Sequence, residues 1–302
     1  MTEPDDRSGE VADSNDNHLA KSFDVTPIVT VSVVSVGALG LSVFTAAVMA
    51  VLIAFGLTYF GYVEVAANAT LDEKLEAVSR VRSVSIAAGV LGTSATLFFM
   101  ALWTSLRPGP GFSRRMRLRS PSMIHLVLVT LGMLALTQAL SGIIYLLQLD
   151  KTGNLAEFNA VFQSWDTQKR LLMLPVLALC PGIAEELFFR GYAFSRVEHS
   201  HGWIIAAGLS AILFGLIHLD PIHSVAATIM GLYLAFAVRV TGSIWTTIFA
   251  HIVNNTAAVM FPTLTPDDTF FQAVWVSSGL LITALVTFLL WRVKRPALAP
   301  PW

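Results

Sequence analysis

The amino-acid sequence predicts an all-α, polytopic membrane protein with about eight transmembrane helices. Hydrophobic residues make up 55% of the 302 residues, whereas charged residues make up only 13%, about half of their usual share in a soluble domain. The apolar residues also form long blocks rather than one stripe per helix, and the mean hydropathy is +0.67. Blocks of this kind are typical of helices that cross a bilayer.

The apolar blocks define eight segments, each close to the ~20 residues that one crossing needs or longer. The first segment is long enough to predict an extended, tilted helix. The polar stretch 64–82, which follows it, predicts a short helix on the membrane surface. The eight segments run near residues 27–63, 84–106, 122–147, 171–194, 203–219, 222–240, 242–261 and 273–291.

The segments divide the chain into four parts. Residues 1–26 carry seven Asp or Glu residues, and they predict a disordered acidic tail rather than a signal peptide, which would begin with a basic stretch. Residues 27–150 hold the first three transmembrane helices, and residues 165–262 hold a central core of helices 4 to 7. Residues 263–302 hold the last transmembrane helix and a basic C-terminal tail.

The distribution of basic residues predicts how the chain is oriented. With both termini inside, 12 Lys or Arg residues lie in inside loops and tails and 6 lie outside. This excess predicts a cell-membrane protein with both termini in the cytoplasm. Loop 107–121 alone carries five arginines, which we interpret as a topology signal that contacts anionic lipid.

Charge and cysteine content exclude several kinds of partner and site. The net charge is -1, so the sequence shows no footprint of a nucleic-acid-binding protein. Cys180 is the only cysteine, which excludes an intrachain disulfide and a zinc site with several cysteines. Cys180 itself is interpreted as a small residue packed in a helix.

The most informative feature is a pair of carboxylates, Glu185 and Glu186, inside the apolar segment 171–194. A charge at this depth costs a few kcal/mol, so it usually faces a protein interior and has a function. Glu186 and Arg190 are four residues apart, share a helix face and predict an internal ion pair. Glu185 is rotated by about 100° and has no local partner, which suits a general base. An ion-paired packing cluster or a transport path would explain the same residues.

Two later segments each carry a pair of residues four apart, Phe214 with His218 and His251 with Asn255. Hydrogen bonding between membrane helices would explain such polar residues. If they converge on Glu185, however, they supply a proton shuttle and hydrogen-bond donors for an oxyanion, the groups needed to add water to an amide.

Taken together, these motifs resemble the signature of the CAAX prenyl-protease and bacteriocin-processing family. Its members are the CPBP or Abi-type intramembrane glutamic endopeptidases. The resemblance covers about residues 171–261 and rests on three motifs in order: Glu185-Glu186-x-x-x-Arg190, Phe214-x-x-x-His218 and His251-x-x-x-Asn255.

The resemblance implies a role for each motif residue. Glu185 would activate a water molecule for attack on the scissile carbonyl, and His218 would help to hold that water and move its proton. His251 and Asn255 would stabilise the oxyanion. Three further residues would support the site: Glu186, Arg190 and Phe214.

The resemblance also implies a conical intramembrane cavity around the site, no metal or other cofactor, and a membrane-associated peptide or prenylated protein as the substrate. Zinc is the alternative, since one Glu and two His side chains form a plausible ligand set. The set here is dispersed along the chain, and no His-Glu-x-x-His motif is present. Two other functions remain open: a proton-coupled transporter with Glu185 as its relay, and a non-catalytic membrane scaffold.

Overall fold

In a computed structural model of the chain, every regular element among the described residues is a helix, which confirms the all-α class. The structure describes residues 24–59, 70–106, 111–151, 153–262, 265 and 268–294. The acidic tail predicted for residues 1–26 therefore lies outside the described residues, apart from its last three positions. The end of the basic C-terminal tail, beyond residue 294, also lies outside them.

Eleven α-helices are numbered here in chain order within the described residues. Two π-helical stretches, Pro175–Leu179 and Leu187–Phe194, flank α7, and a 3₁₀ turn, Leu149–Lys151, precedes α5. The α-helices are α1 Thr26–Tyr59, α2 Leu71–Ser105, α3 Phe112–Arg115, α4 Met123–Leu146, α5 Gly153–Gln163, α6 Thr167–Leu174, α7 Cys180–Glu186, α8 Ser195–Leu216, α9 Pro221–Thr241, α10 Ile244–Met260 and α11 Thr269–Arg292.

Six helical runs in the described part of the chain are long and apolar enough to cross a membrane, by length and composition. They differ from the eight predicted segments for two reasons. The run Thr167–Leu216 spans 50 residues and contains two of the predicted segments, which meet near a backbone kink at Gly202 (φ 80°). The predicted segment 242–261 corresponds to α10, which has only 17 residues. The six runs are Thr26–Met49, Ser83–Thr104, Met123–Leu146, Thr167–Leu216, Pro221–Thr241 and Thr269–Arg292.

The prediction of a separate surface helix at residues 64–82 is wrong for the part that the structure describes. Helix α2 begins at Leu71 and runs without a break to Ser105, so the polar stretch and the second apolar segment form one helix. No proline or glycine occurs between residues 71 and 88, and nothing in the local sequence therefore ends the helix at the change from polar to apolar residues. Residues 60–69 lie outside the described residues.

The centre of the fold is the helical run that contains α7. Helices α2 and α10 pack against α7, and α8 packs against α9. Four fully buried phenylalanines fill the space around this run: Phe188, Phe189, Phe194 and Phe214. Helix α4 packs against α10 and α11 on the other side of α10, so α10 lies between α7 and α4.

Short capped turns fix the order of α8, α9 and α10. The Asp220 carboxylate caps α9 by accepting a hydrogen bond from the backbone N–H of His223 at 2.9 Å. Helix α9 ends at Gly242 (φ 66°), a left-handed position that favours glycine. Ser243 then caps α10 by accepting from the N–H of Trp245. Since only a few residues separate these helices, their ends are held close together.

The interpretation of the loop arginines as lipid contacts is wrong for Arg115 and Arg117. Their exposed fractions are only 1% and 5%. Arg117 Nε donates to Ser195 Oγ at 2.9 Å, and its guanidinium pairs with the Glu198 carboxylate. Glu198 also lies 3.3 Å from Arg239 Nε. A buried carboxylate on α8 thus supplies the partner that a buried guanidinium needs, and this pairing draws the loop into the protein.

Candidate active site

The two carboxylates of the first motif lie at the C-terminal end of α7, inside the protein. Glu186 is completely buried and Glu185 is 8% exposed. Arg190 Nη1 donates to Glu186 Oε1 at 2.8 Å, which confirms the predicted ion pair. The Arg190 guanidinium also donates to the Gly231 carbonyl oxygen at 3.2 Å and lies 4.4 Å from the centre of the Phe214 ring. Arg190 therefore links the first motif to α8 and α9.

His251 on α10 lies between the two carboxylates. Its Nδ1 is 3.1 Å from Glu186 Oε1, and its Nε2 is 3.8 Å from Glu185 Oε2. Because an ionised carboxylate only accepts hydrogen bonds, Nδ1 carries the hydrogen in the contact with Glu186. In the neutral imidazole the Nε2 lone pair then faces Glu185. The sequence motifs did not predict the contact between His251 and Glu186, since it depends on how α7 and α10 are placed.

Gly182 allows α7 and α10 to approach each other at this site. A Cβ atom at Gly182 would lie 2.6 Å from Ile252 Cγ1 and 3.2 Å from the Ile252 backbone nitrogen. Both distances are shorter than a normal van der Waals contact. Because Gly182 has no side chain, α10 can pack close to α7 at Ile252. Ile252 follows His251 directly, so this close packing places His251 within reach of the carboxylates.

The second motif lies next to the same histidine through its aromatic ring. The Phe214 ring centre is 5.2 Å from that of His218 and 5.9 Å from that of His251, and both pairs meet edge to face. His218 Nδ1 is 2.9 Å from the Phe214 carbonyl oxygen. A carbonyl oxygen only accepts, so Nδ1 carries the hydrogen and Nε2 keeps its lone pair in the neutral ring. The shared helix face predicted for Phe214 and His218 is thus confirmed.

One further imidazole lies beside His218. The ring of His223, in the first turn of α9, has its centre 4.3 Å from that of His218. The sequence feature that could have predicted this contact is Asp220, which lies between the two histidines. As a capping residue it indicates a tight turn that reverses the direction of the chain.

Asn255 lies one helical turn beyond His251 on α10 and faces the π-helical stretch before α7. Its Nδ2 is 3.5 Å from the Leu177 carbonyl oxygen. Its Oδ1 is 3.4 Å from Nδ2 of the neighbouring Asn254. Asn254 in turn accepts a hydrogen bond from Thr137 of α4 at 2.6 Å. Neither Asn254 nor Thr137 stood out in the sequence, because an amide or hydroxyl in an apolar segment is common.

The histidines and acids of the described residues do not gather into a metal-ligand set of three. Glu185 and His251 come together, whereas the ring beside His218 is that of His223. The absence of a cofactor and the conical cavity around the site both stay predictions. Cys180, at the start of α7, is half-buried and not disulfide-bonded.

Comparisons with known proteins identify the region that carries these motifs. The family model described as "Type II CAAX prenyl endopeptidase Rce1-like" matches residues 167–257, which include all three motifs and helices α6 to α9 with most of α10. The chain is also 35% identical over 114 residues to the "Putative membrane peptidase YdiL" of Bacillus subtilis (strain 168). That match covers 38% of this chain and 46% of the relative, so the chain spans less than half of the relative's length. No solved structure matches significantly. Residues 167–257 of this chain are thus similar to the Rce1-like type II CAAX prenyl endopeptidases.

Proposed function

We propose that the chain is an intramembrane endopeptidase in which Glu185 activates a water molecule to hydrolyse a peptide bond of a membrane-associated substrate. The observation that carries this proposal is the pair formed by Glu185 Oε2 and His251 Nε2, which lie 3.8 Å apart in a buried place. Both atoms belong to the region that matches a peptidase family.

The spacing of these two atoms suits a water molecule. A separation of 3.8 Å is too long for a direct hydrogen bond. A water about 2.8 Å from each atom would form a triangle with them and donate one hydrogen to each. Its oxygen lone pairs would then point away from both groups and be available for attack on a carbonyl carbon.

The proposed reaction uses Glu185 first as a base and then as an acid. As the water oxygen bonds to the scissile carbonyl carbon, one water proton passes to Glu185 and the carbonyl oxygen becomes an oxyanion. Glu185 then gives the proton to the amide nitrogen, the carbon–nitrogen bond breaks, and a carboxylic acid and an amine are released. Glu186 stays paired with Arg190, and this pair holds Nδ1 of His251.

The remaining motif residues would act on the oxyanion and on the water. The Asn255 side-chain amide is a donor of the kind that stabilises an oxyanion. At rest, that nitrogen makes a long contact of 3.5 Å with the Leu177 carbonyl oxygen, and an oxyanion would replace this contact at little cost. The neutral His218 ring, with the lone pair on Nε2, would accept a hydrogen bond from the water or from the substrate.

The family match also supports a substrate class. We propose a polypeptide that is anchored in the bilayer and that ends in a CAAX-type sequence, with a prenyl group on its cysteine. The protein would lie in the cell membrane with both of its termini in the cytoplasm. The carboxyl ends of its proposed substrates lie on the same side.

The test is cleavage by the purified full-length protein in lipid vesicles. The probe is a quenched fluorescent peptide that ends in a farnesylated Cys-aliphatic-aliphatic-X sequence, compared with the same peptide without the farnesyl group. Loss of a general base costs about 10²–10⁴-fold in rate, so Glu185→Gln is expected to lower kcat by at least 100-fold, and His218→Ala is expected to lose most activity.

A matched control is His199→Ala, because His199 is exposed on α8 and lies outside the motifs. It should retain wild-type kcat. Cleavage of the farnesylated peptide by Glu185→Gln at the wild-type rate would overturn the proposal. Proton-coupled uptake by vesicles that contain the protein, with no cleavage of either peptide, would favour a transporter instead.

A further inference from the structure

A short chain of polar side chains leads from α4 to the proposed oxyanion donor. It consists of Thr137, Asn254 and Asn255, and the first two lie outside the three motifs. Asn254 is 4% exposed. Its side chain therefore has to find its hydrogen-bond partners inside the protein.

The first link fixes which way the Asn254 amide points. Thr137 Oγ1 donates to Asn254 Oδ1 at 2.6 Å. The sulfur of Met230, 3.3 Å from the same hydroxyl, is a much weaker acceptor. Because the hydroxyl is the donor and the amide oxygen the acceptor in this contact, Asn254 has its oxygen toward α4 and its NH₂ group on the other side.

The second link passes this orientation on to Asn255. Asn254 Nδ2 is the donor toward Asn255 Oδ1, 3.4 Å away. The oxygen of Asn255 is thereby directed at Asn254, and the NH₂ group of Asn255 is directed at the π-helical stretch Pro175–Leu179. A reversed Asn254 amide would place its oxygen opposite the oxygen of Asn255, which is unfavourable.

At rest the Asn255 NH₂ group faces the Leu177 carbonyl oxygen. The sequence shows why this oxygen lacks its usual α-helical partner. An α-helix would pair the Leu177 carbonyl oxygen with the backbone nitrogen four residues later, but that residue is Pro181, which has no N–H. That α-helical bond cannot form, and the carbonyl oxygen lies 3.5 Å from Asn255 Nδ2. This distance is at the long end for a hydrogen bond, so the donor is only weakly occupied.

We propose that Thr137 and Asn254 are positioning residues that hold the NH₂ group of Asn255 toward the reacting carbonyl. This inference rests on the proposed function, in which Asn255 binds the oxyanion. Without the Thr137 hydroxyl, Asn254 is free to turn its amide over, and Asn255 then presents its oxygen where a donor is needed.

The test compares Thr137→Val, which keeps the shape but removes the hydroxyl, with Thr137→Ser, which keeps the hydroxyl. The assay is cleavage of the quenched farnesylated peptide by the full-length protein in vesicles. A donor displaced by about 1 Å costs up to ~10²-fold in rate, so we expect Thr137→Val to lower kcat by about 10–100-fold with KM unchanged. Thr137→Ser should stay within about twofold of the wild type, since the donor is retained.

The deciding measurement is a double-mutant cycle with Asn255→Ala. If Thr137 acts through Asn255, Thr137→Val has no further effect on kcat once Asn255 is alanine. An equal fold-loss in both backgrounds would overturn the inference, and so would wild-type kcat for Thr137→Val. Should Thr137→Val not be recovered as a folded protein, Thr137→Ala paired with Thr137→Ser makes the same comparison.

The result also separates this inference from the proposed function. Wild-type activity of Asn255→Ala would remove the oxyanion role and overturn the inference that rests on it, but it would leave the endopeptidase in place. Loss of activity in Asn255→Ala with full activity in Thr137→Val would overturn the positioning role and leave the endopeptidase in place.

Discussion

The substitution Gly182→Ala tests whether the close approach of α7 and α10 builds the site. The added Cβ would lie 2.6 Å from Ile252 Cγ1 and 3.2 Å from the Ile252 backbone nitrogen. Carbon atoms in good contact are about 3.5–4.0 Å apart, so the two helices have to separate by roughly 1 Å. The shift reaches His251, the neighbour of Ile252, and with it the contacts of 3.1 Å and 3.8 Å to the two carboxylates.

Two magnitudes follow from a separation of this size. A 1 Å displacement of reacting groups costs on the order of 10²-fold in rate, and overpacking of a core costs about 1–3 kcal/mol in the free energy of unfolding. We therefore expect Gly182→Ala to lower kcat for the farnesylated peptide by one to two orders of magnitude, with a moderate fall in the thermal midpoint in detergent. The double variant Gly182→Ala with Ile252→Ala removes the contact with Cγ1 but keeps the one with the backbone nitrogen, so it should recover part of both losses.

Gly208→Ala on α8 is the matched control. A Cβ at Gly208 meets no heavy atom within 4 Å, and exchange of glycine for alanine in a helix is favourable by up to about 1 kcal/mol. This variant should keep its activity and its thermal midpoint. Wild-type kcat and an unchanged midpoint for Gly182→Ala would refute the argument that this contact places His251.

Three further predictions concern buried charge and topology. Arg190→Met leaves the buried Glu186 carboxylate without its guanidinium, so the free energy of unfolding should fall by about 3–5 kcal/mol in a denaturation assay. The double variant Arg190→Met with Glu186→Gln should regain much of that loss. A double variant that regains nothing would contradict the ion pair. Arg117→Met removes two buried hydrogen bonds but leaves Glu198 with Arg239, so a smaller loss of about 1–3 kcal/mol is expected in the same assay. A fluorescent protein fused to either terminus should fluoresce, and alkaline phosphatase fused there should be inactive, because the distribution of basic residues predicts that both ends lie in the cytoplasm. An active phosphatase fusion would contradict that orientation.

Local spacing within one helix predicted part of the site from the sequence. The separation of four residues between Glu186 and Arg190 predicts a shared face, and the two side chains meet at 2.8 Å. The same separation holds for Phe214 and His218, whose rings are in contact. Helix periodicity decides these contacts before any tertiary structure forms.

Contacts between helices could not be predicted in this way. The bond of His251 to Glu186 joins residues 65 positions apart, and it requires the approach at Gly182 that no periodicity encodes. The pair formed by Arg117 and Glu198 joins residues 81 positions apart. In the sequence, Arg117 cannot be distinguished from the other loop arginines, all of which fit a topology signal. Its structural role becomes visible only through its buried acidic partner, Glu198.

The start of α2 shows a further limit of predictions that are based on composition. A change from polar to apolar residues marks where a chain enters a bilayer, but it does not mark where a helix begins. Helix α2 crosses that change without a break, because backbone hydrogen bonding continues wherever no residue interrupts it.

A single oxygen atom, Glu186 Oε1, accepts from both Arg190 Nη1 and His251 Nδ1. Glu186→Ala removes the anionic partner of a buried cation and the orienting contact of an imidazole in one step. A loss-of-activity screen would therefore score Glu186 as severely as Glu185, although the two fail by different routes. Variants at Glu186 that lose turnover should also lose heat resistance, whereas Glu185→Gln should lose turnover alone.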